Sequence, residues 1–324
     1  MTDVAQVAGV SHQTVSRVIN GKGNVREETR QRVLDAIESL GYRRNEAARA
    51  LVTRRSHLIG IVTTQFVDYG PASTLLSIQS AAKEIGYYVS VASLSEFSEA
   101  TLHEAIDLFL GQGVAGIILI APIMEVAQEL GRLQIPVPTV AVSSSWSSSS
   151  PGMLRVGVDQ REGARAATRY LLGLGCKRIA HIAGPLNWYD ALERRSGWLD
   201  ALREAHVEPG MEFAGDWSAH SGYVLAKEVL GGELPDAVFI SNDQMALGAL
   251  KAFAEAGVGV PKDLKVVGFD DEPGSEFFQP SLTTVRQDFA SLGSRAVGLI
   301  TGHLQEDLNG DRVIRPELVL RASA

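Results

Sequence analysis

The chain has 324 residues, enough for more than one domain with a core of its own. Its hydrophobic content of 45% and charged content of 21% are typical of globular proteins and exclude the disordered and fibrous classes. The longest apolar run, near 114–121, is too short to span a bilayer, and no signal segment opens the sequence. With Cys176 as the single cysteine, no internal disulfide can form. We therefore expect a cytoplasmic protein that has no membrane partner.

The net charge of −8 is unevenly distributed. Residues 1–57 hold ten Lys/Arg and six Asp/Glu, a net charge of +4, whereas the remainder holds twenty against thirty-two, a net charge of −12. A basic head on an acidic body is expected when only one end of a protein meets nucleic-acid phosphates.

Residues 3–20 predict two short helices joined by a tight turn. Apolar residues recur at helical spacing, with Val4, Ala5 and Ala8 in the first helix and Val15 and Val18 in the second. Gly9 suits the left-handed end of the first helix, and the Ser11 hydroxyl can cap the second. A third helix is predicted over 26–40, with a core face of Val33, Leu34, Ile37 and Leu40.

Burial of these apolar faces leaves a polar face on the second helix. That face carries His12, Gln13, Ser16, Arg17 and Asn20. Such side chains can bond to base edges in a major groove, which predicts a DNA-reading helix. The alternative is a solvated polar face on a small helical cap.

The following basic stretch, 42–56, predicts a segment that runs along phosphates. Its alanine-rich part, 46–52, can form about two helical turns, too few to persist alone in water. Arginine pairs stand on both sides of it, Arg43 with Arg44 and Arg54 with Arg55. The alternative is a flexible linker that happens to be basic.

From residue 58 the sequence alternates apolar strand runs with amphipathic helices, which predicts parallel sheets covered on both faces. The predicted strands are 58–63, 87–92, 114–120, 139–142 and 154–158, then 178–183, 237–241 and 265–269. The predicted helices are 74–85, 100–112 and 124–134, then 161–174, 191–206, 220–230 and 243–257. Two sets of strands indicate two similar lobes, with a ligand cleft outside the carboxyl ends of the strands. The serine-rich segment 143–150, which contains Trp146, is predicted to be a surface loop.

Polar and aromatic residues follow the strands of the second half, where such a cleft would lie. They are Asp190, Arg194, Trp217, Asn242, Asp270, Gln287 and Phe289. Carboxylates, an amide and a guanidinium can each form hydrogen bonds to two vicinal hydroxyls, and an indole can stack on a pyranose. The set therefore suits a neutral sugar. Each residue also has a structural alternative: a helix cap for Asp270, a turn for Asn242, and the core for Trp217.

Two stretches resemble a known family. VSHQTVSRVIN, preceded by DVAQVAG and followed by ETRQRVLDAIESLGYRRN, resembles the DNA-binding headpiece of the LacI/GalR family of bacterial repressors. The alternating remainder resembles the family's core, which is similar to periplasmic sugar-binding proteins. The resemblance implies an α/β protein with a helix-turn-helix headpiece (1–45), a hinge helix (46–57) and a core of doubly wound parallel sheets (58–324). Lobe 1 of that core would be 58–158 with 289–315, and lobe 2 would be 159–285 with 316–324.

The resemblance also implies which residues meet DNA. They are His12, Gln13, Thr14, Ser16, Arg17, Asn20, Thr29, Ala48 and Leu51. In the family the hinge helix forms on operator DNA, pairs with its dimer mate and wedges a leucine, here Leu51, into the minor groove. His12 stands where a tyrosine occurs in the family, so the operator bases can differ. Arg44 replaces a common proline, which predicts a looser linker.

For the effector, the segments AGPL, RSGW, GDWSAHSG, NDQMALGA, VVGFDD and PSLTTVRQDFASLG resemble those of sugar-responsive family members. The implied effector residues are Pro71, Asp190, Arg194, Trp217, Asn242, Asp270, Gln287 and Phe289. The first lobe departs from the pattern. There, Asp68 and Tyr69 replace an apolar residue and a histidine, and Ile120 and Ser143 replace a cleft asparagine and aspartate.

The resulting hypothesis is a repressor released from a pseudo-palindromic operator by a galactoside-like sugar. We expect a homodimer, since the leucine-heptad helix that makes tetramers in the family has no counterpart here, and we expect no cofactor or metal. The alternatives are a sugar-binding module with a vestigial DNA head and a corepressor-dependent, purine-repressor-like regulator. A hydrolase using Asp270 and Asp271 is disfavoured, because adjacent residues on an extended chain face opposite ways.

Overall fold

The computed structural model describes residues 1–20, 25–42, 56–63, 68–94, 98–120, 135–143, 153–302 and 313–324. The chain forms two compact units, Met1–Ser56 and His57–Ala324. The predicted hinge helix with Ala48 and Leu51, the predicted helix 124–134 and Trp146 lie outside the described residues.

The first unit contains three helices, α1 (Thr2–Ala8), α2 (His12–Asn20) and α3 (Glu27–Ser39). Their shared core consists of Val4, Ala5, Ala8, Val15, Val33 and Ala36. Gly9 ends α1 with φ 62°, in the left-handed region that glycine adopts without cost. The Thr14 backbone N–H donates to Ser11 Oγ at 3.2 Å, so Ser11 caps α2 as its position predicts.

The predicted core face of α3 is partly wrong. Leu34 and Leu40 are 42% and 45% exposed, and Ala36 is buried in their place. Leu34 is turned about 100° around the helix from Val33, which points it away from α1 and α2. Leu40 follows the last helical residue, so the helical period no longer governs where it points.

The second unit is built on two sheets. The first sheet contains parallel strands in the order β11-β5-β4-β3-β1-β2. Their bounds are β1 (Leu58–Thr63), β2 (Tyr88–Ser93), β3 (Gly116–Ile120), β4 (Thr139–Val142), β5 (Met153–Val158) and β11 (Val313–Ile314). Helices α4 (Tyr69–Glu84) and α10 (Phe289–Thr301) cover one face, and α5 (Glu99–Gly111) covers the other.

The second sheet has parallel strands in the order β7-β6-β8-β9, beside an antiparallel pair of β10 and β12. The bounds are β6 (Ile179–Ala183), β7 (Glu212–Ala214), β8 (Ala237–Ile240), β9 (Lys265–Val267), β10 (Thr284–Arg286) and β12 (Glu317–Val319). Helices α6 (Gln160–Gly173) and α7 (Tyr189–Glu204) cover one face, and α8 (Ala219–Leu230) and α9 (Asp243–Glu255) cover the other. A short 3-10 helix, Ser275–Phe277, follows β9.

The chain passes between the two sheets in three places. These are the links from β5 to α6, from β10 to α10, and from β11 to β12. We call the part of this unit around the first sheet lobe 1 and the part around the second sheet lobe 2. In the parts of the chain that the structure describes, no helix combines the length and apolarity that crossing a bilayer requires.

Several elements differ from the sequence-based expectation. Helix α4 begins at Tyr69, five residues earlier than predicted. Pro71 lies in its first turn, where a backbone N–H has no partner within the helix, so the missing N–H of proline costs no hydrogen bond. The strands β7, β10, β11 and β12 were not predicted. Each has only two or three residues, too few to display an alternating pattern.

Candidate functional site: a cavity between two sheets and an exposed helix

One cavity of the core unit is lined by residues from both lobes, with about 670 Å³ of empty space that includes its open mouth. All eight predicted effector residues line this cavity: Pro71, Asp190, Arg194, Trp217, Asn242, Asp270, Gln287 and Phe289. Most of them follow the carboxyl ends of parallel strands, which is where α/β sheets bind ligands.

Four polar side chains that line the cavity form a closed ring. The Arg194 Nε donates to Gln160 Oε1 at 2.9 Å, and its Nη2 lies 3.2 Å from Asp270 Oδ1. Gln160 Nε2 donates to Gln287 Oε1 at 2.8 Å, and Gln287 Nε2 donates to Asp270 Oδ1 at 2.7 Å. Each of the four residues is exposed by 7% or less. The ring holds the guanidinium and the carboxylate in fixed positions before any ligand arrives.

Arg194 has further supports. Its Nη1 donates to the Ser241 carbonyl oxygen, and its guanidinium carbon lies 3.8 Å from the centroid of the Phe269 ring. An arginine stacked on an aromatic face keeps its planar fork oriented. Gln160 was missed by sequence reasoning, although it begins a helix directly after the carboxyl end of β5, the same signal that identified the other residues.

Burial raises the pKa of Asp270 to about 7, against the opposing effect of Arg194. The carboxylate of the neighbouring Asp271 has different partners. It accepts hydrogen bonds from Arg286 Nε at 2.7 Å and from Arg321 Nη2 at 2.6 Å. Burial tends to raise the pKa of Asp271, but the hydrogen bonds and positive charges of Arg321 and Arg286 together lower it. Both aspartates have positive φ, 107° and 51°, a conformation that costs free energy and is found at functional sites.

A hydrogen bond joins Asn242 to Trp217 at the N-terminus of α9. Asn242 Oδ1 accepts the Met245 backbone N–H at 2.9 Å and so caps the helix, and Asn242 Nδ2 donates to the Trp217 carbonyl at 3.0 Å. Asn242 therefore combines the cap expected of a turn residue with a place in the cavity wall.

Trp217 is strained and tightly enclosed. Its φ is 72°, and a Cβ added at Gly184 would meet the indole ring at 2.1 Å, so only glycine fits below it. The residue is 7% exposed and belongs both to the core of lobe 2 and to the cavity wall. Among the described residues, its buried Nε1 has no hydrogen-bond partner.

Asp190 and Trp188 lie at the start of α7. Burial raises the pKa of Asp190, and Arg194 opposes this rise. The Trp188 ring meets Trp217 edge-on, with centroids 5.6 Å apart and planes at 68°. Trp188 was not predicted as a site residue, because nothing in the sequence separates a tryptophan that lines a cavity from one that fills a core.

The wall contributed by lobe 1 is less polar. Tyr69 of α4 packs edge-on against Phe289 of α10, with centroids 5.8 Å apart. Ile120 is buried, and the buried Ser143 Oγ has no hydrogen-bond partner within the described part of the chain. Burial raises the pKa of Asp68, helped by the nearby carboxylate of Asp216.

In the first unit, the predicted DNA-reading side chains lie on α2. His12, Gln13 and Arg17 are exposed, and Thr14 and Ser16 are half-buried. Asn20 is the last residue of α2, and Thr29 is half-buried in the first turn of α3. The side chains of His12, Gln13 and Arg17 are therefore accessible from solvent.

A helix-turn-helix unit, followed along the chain by a two-sheet unit with a cavity between its lobes, defines a class of DNA-binding regulator. Residues 1–45 match the family model for bacterial regulatory proteins of the lacI family, and residues 168–324 match a periplasmic binding protein-like domain. The chain is similar to the lactose operon repressor of Escherichia coli (strain K12), with 35% identity over 98% of this chain and 89% of that protein. It is also similar to the transcriptional repressor PurR of Mannheimia succiniciproducens, with 33% identity over 99% of this chain and 97% of that protein.

Among solved structures, the lac repressor dimer bound to operator and the anti-inducer ONPF superposes with a TM-score of 0.90 at 34% identity, covering 99% of this chain and 97% of that one. The chain belongs to the LacI family. It is a DNA-binding transcriptional regulator controlled by a small-molecule effector. The predicted family and fold class are confirmed.

Proposed function

We propose that this chain is a homodimeric repressor that binds a pseudo-palindromic operator through α2 and is released by a small, galactoside-like sugar. The observation that carries the proposal is the buried ring of Gln160, Arg194, Asp270 and Gln287 in the lining of the cavity. Its preorganised donors and acceptors match the vicinal hydroxyls of a sugar.

Two further features of the wall support a sugar. The Trp217 Nε1 and the Ser143 Oγ are buried polar groups without a partner among the described residues, and sugar oxygens can bond to both. Aromatic rings on both sides of the cavity can cover the C–H faces of a pyranose. A cavity with these properties favours a neutral, hydroxyl-rich ligand over a purely apolar one.

The position of the ring suggests how ligand binding changes DNA affinity. Gln160 follows the link from β5 to α6, and Gln287 lies in the link from β10 to α10. Arg194 bonds to Gln160, and Asp270 bonds to Gln287. A ligand that binds Arg194 and Asp270 therefore contacts side chains that are hydrogen-bonded to two of the three links between the lobes. We propose that the sugar changes the angle between the lobes and so weakens the operator-binding arrangement of the dimer.

The DNA half of the proposal depends on His12, Gln13 and Arg17, whose exposed side chains suit base edges. The family resemblance adds a minor-groove contact by Leu51, which lies outside the described residues. The lac repressor, to which the chain is similar, has been solved as a dimer bound to operator. A dimer of this chain would present two copies of α2 to two half-sites.

Coupling between two binding sites is reciprocal, which provides the test. A thermal-shift screen of mono- and disaccharides identifies a binding sugar. The affinity of the protein for that sugar is then measured by calorimetry in the presence and in the absence of the DNA that lies upstream of the protein's own gene. We expect operator DNA to weaken sugar binding by about 5- to 150-fold. Equal affinities contradict the mechanism, and tighter binding on DNA indicates a corepressor.

The same DNA tests the main alternative, a sugar-binding module with a vestigial head. In a gel-shift assay, a repressor retards a specific upstream fragment at a protein concentration that leaves unrelated DNA free. Equal retardation of both fragments would favour the module.

A further inference from the structure

We propose that Arg321, in the segment that follows β12, is a positioning residue of the effector site: it acts through Asp271 and holds the backbone that presents the Asp270 carboxylate to the cavity. This inference rests on the proposed function, since it assumes that a sugar binds Asp270. It adds a residue that does not line the cavity and still sets the affinity for the effector.

The backbone at Asp270 and Asp271 is strained. The two φ angles are 107° and 51°, a region that residues with a Cβ rarely adopt. Such a conformation costs free energy and persists only where the surrounding structure fixes it. The Asp270 backbone N–H donates to the Val285 carbonyl oxygen at 2.8 Å, which ties this residue to β10. The Asp271 backbone N–H makes a longer bond, 3.4 Å to Thr284 Oγ1, so its support comes mainly through the side chain.

Two arginines hold the Asp271 carboxylate, one at each oxygen. Arg321 Nη2 donates to Oδ1 at 2.6 Å, and Arg286 Nε donates to Oδ2 at 2.7 Å. The Arg321 side chain is 17% exposed, whereas that of Arg286 is 49% exposed. Solvent and salt screen an exposed pair more than a buried one, so Arg321 supplies the larger part of this support.

Arg321 is itself fixed to the segment that precedes β10. Its Nη1 donates to the Leu282 carbonyl oxygen at 2.8 Å, and its backbone N–H donates to Thr283 Oγ1 at 2.9 Å. Ser275 Oγ lies 3.3 Å from both Arg321 Nη1 and Asp271 Oδ1. A planar guanidinium that bonds to several groups at once is a rigid support, so it can hold the Asp271 backbone in place.

The segment after β12 has a second anchor that does not involve this guanidinium. Ser323 Oγ accepts the Thr283 backbone N–H at 2.8 Å and donates to the Val266 carbonyl oxygen at 2.7 Å. Removal of the Arg321 side chain should therefore leave the segment docked and act on Asp271. The two anchors can be separated by mutation.

A double-mutant cycle on the full-length chain tests the proposal. Galactose, lactose and methyl β-galactoside are titrated, and binding is followed by tryptophan fluorescence, because Trp188 and Trp217 line the cavity. We expect Arg321→Ala to bind the sugar about five- to tenfold more weakly than wild type, since the Asp271 backbone can relax. Asp271→Ala should lose at least as much. The double variant should bind no more weakly than Asp271→Ala, because the two residues act as one unit.

A glycine at position 271 gives a readout that a purely structural role of Arg321 would not change. Asp271→Gly also lacks the carboxylate, but glycine adopts a φ of 51° without steric cost. We expect this variant to bind the sugar about threefold or more tightly than Asp271→Ala, because the strain is gone. If Arg321 only anchored the chain, the more flexible glycine would bind no more tightly than alanine.

Ser323→Ala is the matched control, since it weakens the other anchor of the same segment. It should change sugar affinity by less than about twofold. Arg321→Lys keeps the charge without the planar fork and should show an intermediate loss; it takes the place of Arg321→Ala in the cycle if urea unfolding shows that Arg321→Ala does not fold.

The outcomes separate this role from the proposed function. Unchanged sugar binding in the Arg321 variants, an equal loss in Ser323→Ala, or additive losses in the double variant overturns the positioning role and leaves the sugar-controlled repressor standing. If none of the three sugars binds to the wild type, both proposals fail.

Discussion

The Arg194 guanidinium and the Asp270 carboxylate lie 3.2 Å apart, and each side chain is only 5% exposed. A buried ion pair gains little net stability over apolar residues of the same shape, but removal of one partner leaves an expensive uncompensated charge. The pair is therefore better explained by binding than by stability, since its two charges are held where a ligand can reach them.

The first prediction concerns Arg194. Arg194→Ala should destabilise the core by about 3–5 kcal/mol at pH 8, because Asp270 loses its buried partner and must either stay charged or take up a proton that the unfolded chain does not hold at this pH. The loss should be smaller at pH 6, where Asp270 takes up a proton. Urea unfolding followed by tryptophan fluorescence measures both values, since every tryptophan lies beyond residue 57.

Arg161→Ala is the matched control for this measurement. Arg161 pairs with Asp200, but its side chain is 50% exposed. Such surface pairs contribute about 0–1 kcal/mol, so the control should be nearly neutral at both pH values. If both variants lose a similar amount of unfolding free energy, the loss in Arg194→Ala does not come from leaving Asp270 buried without its partner.

The second prediction concerns the pH dependence of stability. The pKa of Asp270 is raised from 3.8 to about 7 in the folded protein, so the folded state binds this proton more tightly than the unfolded state. The free energy of unfolding should therefore fall as pH rises from about 4 to about 7, by at most about 1.4 kcal/mol per pH unit from this group. Asp270→Asn should remove that slope, measured as the difference from wild type at pH 5, 6, 7 and 8.

Asp271→Asn provides a control of opposite sign. The pKa of Asp271 is lowered by Arg321 and Arg286 despite its burial, so its contribution is complete above the unfolded pKa and is lost only in acid. Its substitution should cost the same at pH 6 and pH 8. A slope that persists unchanged in Asp270→Asn would assign the titration to another group.

The third prediction concerns the support of Trp217. A Cβ at Gly184 would stand 2.1 Å from the indole ring, so Gly184→Ala must displace Trp217. We expect a destabilisation of about 1–3 kcal/mol from overpacking, together with at least about tenfold weaker sugar binding. Gly173→Ala, at a helical glycine with nothing within 4 Å, should be neutral or slightly stabilising. Unchanged sugar binding in Gly184→Ala would remove Trp217 from the proposed contacts.

The fourth prediction concerns the DNA-reading helix. Gln13→Ala should weaken operator binding by about 1–3 kcal/mol if its amide reads a base, and it should leave binding to unrelated DNA unchanged. Gln31→Ala is the control within the same unit, because Gln31 is exposed but bonds to Asp35 on α3. Fluorescence anisotropy at one fixed salt concentration measures both. Equal losses in the two variants would argue against base reading by Gln13.

Sequence reasoning succeeded for features that depend on neighbours in the chain. The cap by Ser11, the left-handed Gly9 and the α/β alternation all follow from local pattern. It failed where the pattern is short or the helix ends, as with Leu40 and the three-residue strands. Trp188 and Gln160 were missed because a residue's part in a cavity depends on which distant elements surround it.

By itself, the sequence determined the family, the helix-turn-helix, the alternation of strands and helices, and eight of the residues that line the cavity. These follow from residue types in local stretches of the chain, or from the family resemblance that those stretches carry. Only the tertiary structure decided that Gln160, Arg194, Asp270 and Gln287 close into one ring, since Gln160 and Gln287 lie 127 positions apart. It also decided the inclination of 68° between the rings of Trp188 and Trp217, because the angle between two side chains depends on packing and not on their spacing in the sequence.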